Sequence, residues 1–226
     1  MSKTDAGAEG VPALWPEVSD NYYALRDHAL ASLNGRDTGG VCLALTSCRP
    51  GEGVTTVAVN FARALCSAGN RRVLLCDANV AAPRLHRVFG LPRGPGLTDA
   101  LSQRRPPAEV VQRTAVRDLD LVAAGEEAMS PTQMVESARL RDFLETIRYG
   151  YAFVLLDTPP VLTYSAGARL AGAADATILV IEAERNRWEV ARAASRRLES
   201  RGANILGAVL NRRKFHIPDW LYRRIL

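Results

Sequence analysis

The sequence predicts an α/β domain with a doubly wound, mostly parallel sheet flanked by helices, and three observations lead there. Short apolar runs of strand length recur along the chain, separated by segments with helical periodicity. The first of them, Val41–Ser47, is followed by a glycine-rich turn that opens directly into a helix. Two further runs end on aspartate, at Asp77 and Asp157, which puts carboxylates at strand C-terminal ends, where folds of this kind bind their ligands.

The elements follow in order. Residues 1–16 mix Gly, Ala, Pro and charge without periodicity, the composition of a flexible tail. Ser19 or Asp20 caps a helix through Tyr22, Leu25, Ala29 and Leu33 that Asn34-Gly35 closes. The strand Val41–Ser47 is apolar throughout, as expected when both faces of a parallel strand are covered. A helix then spans Thr55–Ala68. The alternation continues with a strand over Arg72–Asn79, short helices over Pro83–Phe89 and Leu97–Gln103, a weak strand over Leu119–Ala123 and a helix over Thr132–Arg148. The strand Tyr151–Pro160, a helix over Ser165–Ala171, the strand Ala176–Ala183, a helix over Arg187–Arg201 and the strand Asn204–Asn211 complete it. The expected division is therefore a tail (1–16), one domain (17–211) and a basic amphipathic tail (212–226).

Composition narrows the function classes. At 226 residues with 47% hydrophobic side chains, the chain has enough apolar surface for a core without metals or disulfides. No apolar run approaches the roughly 20 residues of a membrane helix, so the reading is cytoplasmic. Cys42, Cys48, Cys66 and Cys76 form no CxxC pair, and His28, His86 and His216 form no constellation, which argues against zinc. The net charge of +5 is concentrated at the end, where Ala183–Leu226 carries 11 basic residues against 4 acidic. Only Lys3 and Lys214 are lysines.

The chemistry lies in the turn. In SCRPGEGVTT (Ser47–Thr56) the backbone NH groups of Gly51 to Thr56 and the helix N-terminus can surround a phosphate, which makes this a P-loop NTPase-type site. Gly51, Glu52, Gly53, Val54, Thr55 and Thr56 are its nucleotide-binding residues, with Arg49 beside them. Thr55 offers a hydroxyl to Mg²⁺, and Asp157 a carboxylate for its water shell. Asp77 is placed to polarise a nucleophile. A glycine turn or a strand-end aspartate alone is usually structural, and only the combination carries the reading.

SCRPGEG, LLCDANVAAPRLHRVFG, LLDTPPVL and LGAVLN, in this order and spacing, resemble the cytoplasmic domain of the bacterial tyrosine autokinases of capsule and exopolysaccharide synthesis. These belong to a deviant phosphate-loop group shared with septum-positioning and plasmid-partition ATPases. The resemblance covers roughly Tyr22 to Asn211. It implies ATP or ADP with Mg²⁺ as cofactors, Thr55 and Asp157 serving the metal, Asp77 and Asp157 in catalysis, and Asn211 at the adenine edge. It also implies a homo-oligomer and an integral-membrane partner, a polysaccharide co-polymerase or chain-length regulator, with the chain held peripherally at the inner membrane and no nucleic acid bound.

The departures from the family pattern matter as much. Val54 stands where the family has the loop lysine. Asn79 and Ala81 replace an aspartate and an arginine, Ser165-Ala166 an aspartate after the DTPP strand. The family's helix-start motif reads Asp20, Tyr23, Arg26, and only Tyr222 remains of its C-terminal tyrosine cluster. The amides and Mg²⁺ remain for the ground state, while loss of one preorganised charge costs about 10²–10³ in rate. The sequence thus points to a catalytically impaired regulatory or scaffolding relative. One alternative is an active kinase or ATPase using Arg49 in place of the lysine; another is a partition-type ATPase that binds DNA or membrane through its basic end.

Overall fold

The computed structural model describes residues 16–33, 39–69, 71–103 and 105–213. The N-terminal tail, the Asn34-Gly35 stop and nearly all of the basic tail, including Trp220 and Tyr222, lie outside them. In chain order the elements are α1 (Pro16–Leu33), β1 (Val41–Ser47), α2 (Val54–Cys66), β2 (Val73–Asp77), α3 (Leu85–Phe89), α4 (Leu97–Gln103), α5 (Pro107–Val110) and β3 (Val111–Arg113). They continue with β4 (Leu119–Val122), α6 (Pro131–Glu136), α7 (Ala138–Arg148), β5 (Phe153–Asp157), α8 (Ser165–Ala173), β6 (Ala176–Glu182), α9 (Trp188–Glu199) and β7 (Ile205–Asn211). The strands form one sheet in the order β3-β4-β2-β5-β1-β6-β7.

Alternation along each strand divides the core into layers. Leu43 and Leu45 of β1, Val73 and Leu75 of β2, and Phe153 and Leu155 of β5 face α1 and α2, where Val57, Phe61 and Leu65 meet them. Leu74, Cys76, Val154 and Leu156 face the other way, onto Leu101 of α4, Met134 of α6 and Phe143 and Ile147 of α7. Ala44 and Leu179 pack under Ala168 and Ala171 of α8 and Leu198 of α9. Burial on both faces is why the central strands read as unbroken apolar runs.

Two expectations need correction. The span 132–148 is not one helix: it breaks at Ser137, whose φ −67°, ψ 119° is extended, and α6 begins on its own capping box of Ser130 and Gln133. The sheet also carries an unforeseen antiparallel edge strand, β3, paired with β4. Three residues are too few to show a period of two in sequence. The remaining pairings are parallel. β1 lies between β5 and β6, so successive crossovers leave it in opposite directions, and the cleft this opens at its C-terminal end is where a ligand fits.

Candidate functional site

β1 delivers Ser47 to that cleft. The chain turns there through Gly51 and Gly53, at φ +87° and +90°, and enters α2. The first intrahelical bond runs from Val57 N to Gly53 O at 3.0 Å, so the amides of Val54, Thr55 and Thr56 precede it and face out at the helix N-terminus. The structure therefore keeps the amide arrangement expected of a phosphate loop. Val54 is only 8% exposed and joins the cluster around Phe61 and Leu43. The position usually occupied by a cation is here part of the core.

Glu52 behaves differently from its neighbours. It is 2% exposed, and its carboxylate turns back into the loop. Oε2 accepts from Cys48 N at 2.8 Å and Arg49 N at 3.2 Å, and Oε1 accepts from Asn186 Nδ2 in the β6–α9 connection. Its carbonyl accepts from Asn211 Nδ2 at 2.8 Å. Sequence reading placed Glu52 in the site for its backbone alone and passed over Asn186, because a partner 134 positions away leaves no local signal.

The two aspartates face each other across adjacent strands: Asp77, ending β2, is in register with Asp157, ending β5. Asp77 Oδ2 accepts from Arg84 N at 2.9 Å and Leu85 N at 3.0 Å. Asp157 Oδ2 accepts from Thr55 Oγ1 at 2.6 Å. The other oxygen of each, Oδ1, is buried without a hydrogen-bond partner. Burial pushes the Asp157 carboxyl well above the ordinary carboxylate range, and the charge of Asp77 adds to this against the opposing Thr55 hydroxyl. Burial raises Asp77 too, opposed by the amides of Leu85, Arg84 and Asn79.

Two orphaned carboxylate oxygens beside a threonine hydroxyl are hard, anionic donors, and they fit a hydrated Mg²⁺ that takes its remaining ligands from water and phosphate. Among the described residues no three His, Cys, Asp or Glu side chains converge as a metal cage. Asn79 was expected on the strand beside Asp77. It lies past the end of β2, where its carbonyl accepts from Ala82 N at 3.0 Å and its side-chain oxygen is buried and unpartnered.

Beyond Asp157 the chain is stitched to β1. Thr158 N and Oγ1 both donate to Leu45 O, Thr46 Oγ1 donates to Pro159 O, and Val161 N donates to Ser47 O. This is what the DTPP segment does structurally: it fixes the aspartate against the loop. Arg49 is exposed, and its guanidinium has no hydrogen bond or ion pair among the described residues. Asn211, at the end of β7, has both ends of its amide engaged, Nδ2 with Glu52 O and Oδ1 with Arg212 N at 3.0 Å.

Residues 41–191 match a family model described as an AAA domain. The chain is 36% identical over 176 residues to the EpsB protein of Ralstonia solanacearum, but these cover 78% of this chain and only 23% of that relative. It is 31% identical over 170 residues to the tyrosine-protein kinase YwqD of Bacillus subtilis, covering 75% of this chain and 71% of YwqD. The crystal structure of the VpsO kinase domain superposes with a TM-score of 0.76 at 31% identity, over 87% of this chain and 96% of that one. With a lysine-free phosphate loop and an intact aspartate pair, the chain belongs to the bacterial tyrosine-autokinase (BY-kinase) family of capsule and exopolysaccharide synthesis.

Proposed function

We propose that this chain is a catalytically impaired member of its family that binds ATP or ADP with Mg²⁺ and acts as a regulatory or scaffolding partner of the membrane machinery that exports or polymerises a polysaccharide. The burial of Val54 carries the reading. Among the described residues there is no lysine to take its place; the chain's two, Lys3 and Lys214, lie outside them.

The remaining residues sort into binding and chemistry. Amides from Gly51 to Thr56 hold phosphate oxygens in ground state and transition state alike, so they support affinity more than rate. Thr55 and Asp157 would hold Mg²⁺, and Asp77 would accept or orient the proton of an attacking hydroxyl. A bound Mg²⁺ supplies neutralisation of phosphate charge. With Val54 in the loop, the fixed lysine charge that would face the charge growing during transfer is missing, a loss that costs about 10²–10³ in rate. The family relation supports an integral-membrane co-polymerase or chain-length regulator as partner, with the chain peripheral to the inner membrane.

Calorimetry with ATP and ADP plus Mg²⁺, on the wild type and on Val54→Lys, tests this. The expected result is binding with little or no turnover in the wild type, and tighter binding with restored turnover in the variant. Autophosphorylation of the purified wild type that disappears in Asp77→Ala would defeat the proposal. The guanidinium of Arg49, without a hydrogen bond or ion pair among the described residues, favours a second reading, in which it reaches the phosphates of its own or a second copy and sustains activity. Under that reading Arg49→Ala abolishes turnover and Arg84→Ala does not.

A further inference from the structure

We infer that Glu52 is a positioning residue: its carboxylate holds the phosphate loop in shape from behind, so that the amides facing the ligand are preorganised although the loop has no lysine. The inference rests on the nucleotide reading above for its consequence, but the geometry that carries it does not depend on a nucleotide.

A carboxylate in the middle of an anion-binding loop would normally oppose its function, because a fixed negative charge repels phosphate. Here its direction removes most of that conflict. The charge faces the amides of Cys48 and Arg49, on the strand side of the turn, and not those of the helix N-terminus. Glu52 thus closes a small ring from Cys48 to itself, like an anion bound in a nest of consecutive NH groups. The ring is then tied to the two connections that wall the cleft. Asn186 donates to the carboxylate from the segment after β6, and Asn211 donates to the Glu52 carbonyl from the end of β7. Each of these groups is satisfied only while the loop keeps its curvature, and a buried carboxylate left unpaired is strongly disfavoured. The loop therefore has two supports, both from the β6–β7 side of β1, that do not come from a bound ligand.

Glu52 touches no ligand in this scheme; it acts through the backbone. The test compares Glu52→Ala, Glu52→Gln, Asn186→Ala and Asn186→Asp in the full chain. The glutamine carbonyl can still accept from Cys48 and Arg49, while the Asn186 amide turns over to accept from its new NH₂ group. Asn186→Asp sets two carboxylates against each other.

Without nucleotide, amide hydrogen exchange at Cys48 and Arg49 should accelerate about tenfold or more in Glu52→Ala and Asn186→Asp, less in Asn186→Ala and little in Glu52→Gln, while core amides such as Leu43 and Leu155 keep their protection. ADP–Mg²⁺ affinity should weaken by about 10-fold to 100-fold in Glu52→Ala and stay near wild type in Glu52→Gln, the scale seen when outer supports of a binding site are removed. Unchanged exchange at Cys48 and Arg49 in Glu52→Ala, or freed loop amides with unchanged ADP affinity, overturns the inference. If the wild type binds no ADP, the nucleotide reading fails, while the exchange measurement still decides whether Glu52 shapes the loop. Should Glu52→Ala not fold, the ordering among Glu52→Gln, Asn186→Ala and Asn186→Asp decides it.

Discussion

Gly51 and Gly53 have nearly the same positive φ, +87° and +90°, yet their surroundings differ. A Cβ on Gly51 would meet open space, whereas one on Gly53 would run into the Asn211 side-chain amide. Gly51→Ala should therefore cost only the left-handed strain, about 1–2 kcal/mol. Gly53→Ala should cost about 0.5–1.5 kcal/mol more, because Asn211 must withdraw and release the Glu52 carbonyl. Urea unfolding of the two variants reads the difference directly, and equal losses would mean that the Asn211 contact contributes nothing. At this scale the sequence was informative about backbone and poor about partners. The glycines announce the turn, but nothing in it says that Glu52 faces inward or that Val54 is packed instead of exposed, since both depend on groups brought from β6, β7 and the sheet.

Elements were legible where their signal was long. β1 and β6 fall within a residue of the expected spans, because a strand buried on both faces has no polar positions to blur it, while β5 is shorter than the expected Tyr151–Pro160 by two residues at its start and three at its end. The helix expected over 132–148 failed because its apolar period passes through Ser137 almost undisturbed. The informative residues were Ser130, Pro131 and Gln133, a capping box with proline at the first helical position, which starts a separate short helix. α6 seats Met134 in the core with no exposure, so its start matters. Ser130→Ala should cost about 1 kcal/mol and Ser130→Gly only a few tenths, measured by chemical denaturation. The cap donates nothing to the nucleotide cleft, so ADP affinity should stay the same in both.

Strand order is a property of the whole molecule and the least legible of all: alternation of strands and helices gives a wound sheet, but not that β5 inserts between β1 and β2. That insertion is what creates the site's electrostatics. It places Asp157 in register with Asp77, two buried carboxyls that burial raises above the ordinary range, Asp157 further through the charge of Asp77, with the usual lysine absent. A carboxyl whose folded pKa exceeds its unfolded one makes the native state bind more protons, so stability must fall as pH rises from the ordinary carboxyl range through the raised value. Stability without ligand is therefore expected to decline between about pH 5 and pH 8, where most folds are near their maximum. Asp157→Asn keeps an oxygen for the Thr55 hydroxyl and removes the charge. It should flatten that decline and stabilise the chain at the alkaline end by about 1–3 kcal/mol, the scale of relieving one buried, incompletely paired charge. Urea unfolding of both proteins across the range checks the sign, and a wild type that gains stability toward alkaline pH would show that the pair is already compensated by a cation. Mg²⁺ with ADP should suppress the same slope in the wild type, because a divalent charge held by Thr55 and Asp157 would favour the ionised form of the nearby carboxyls.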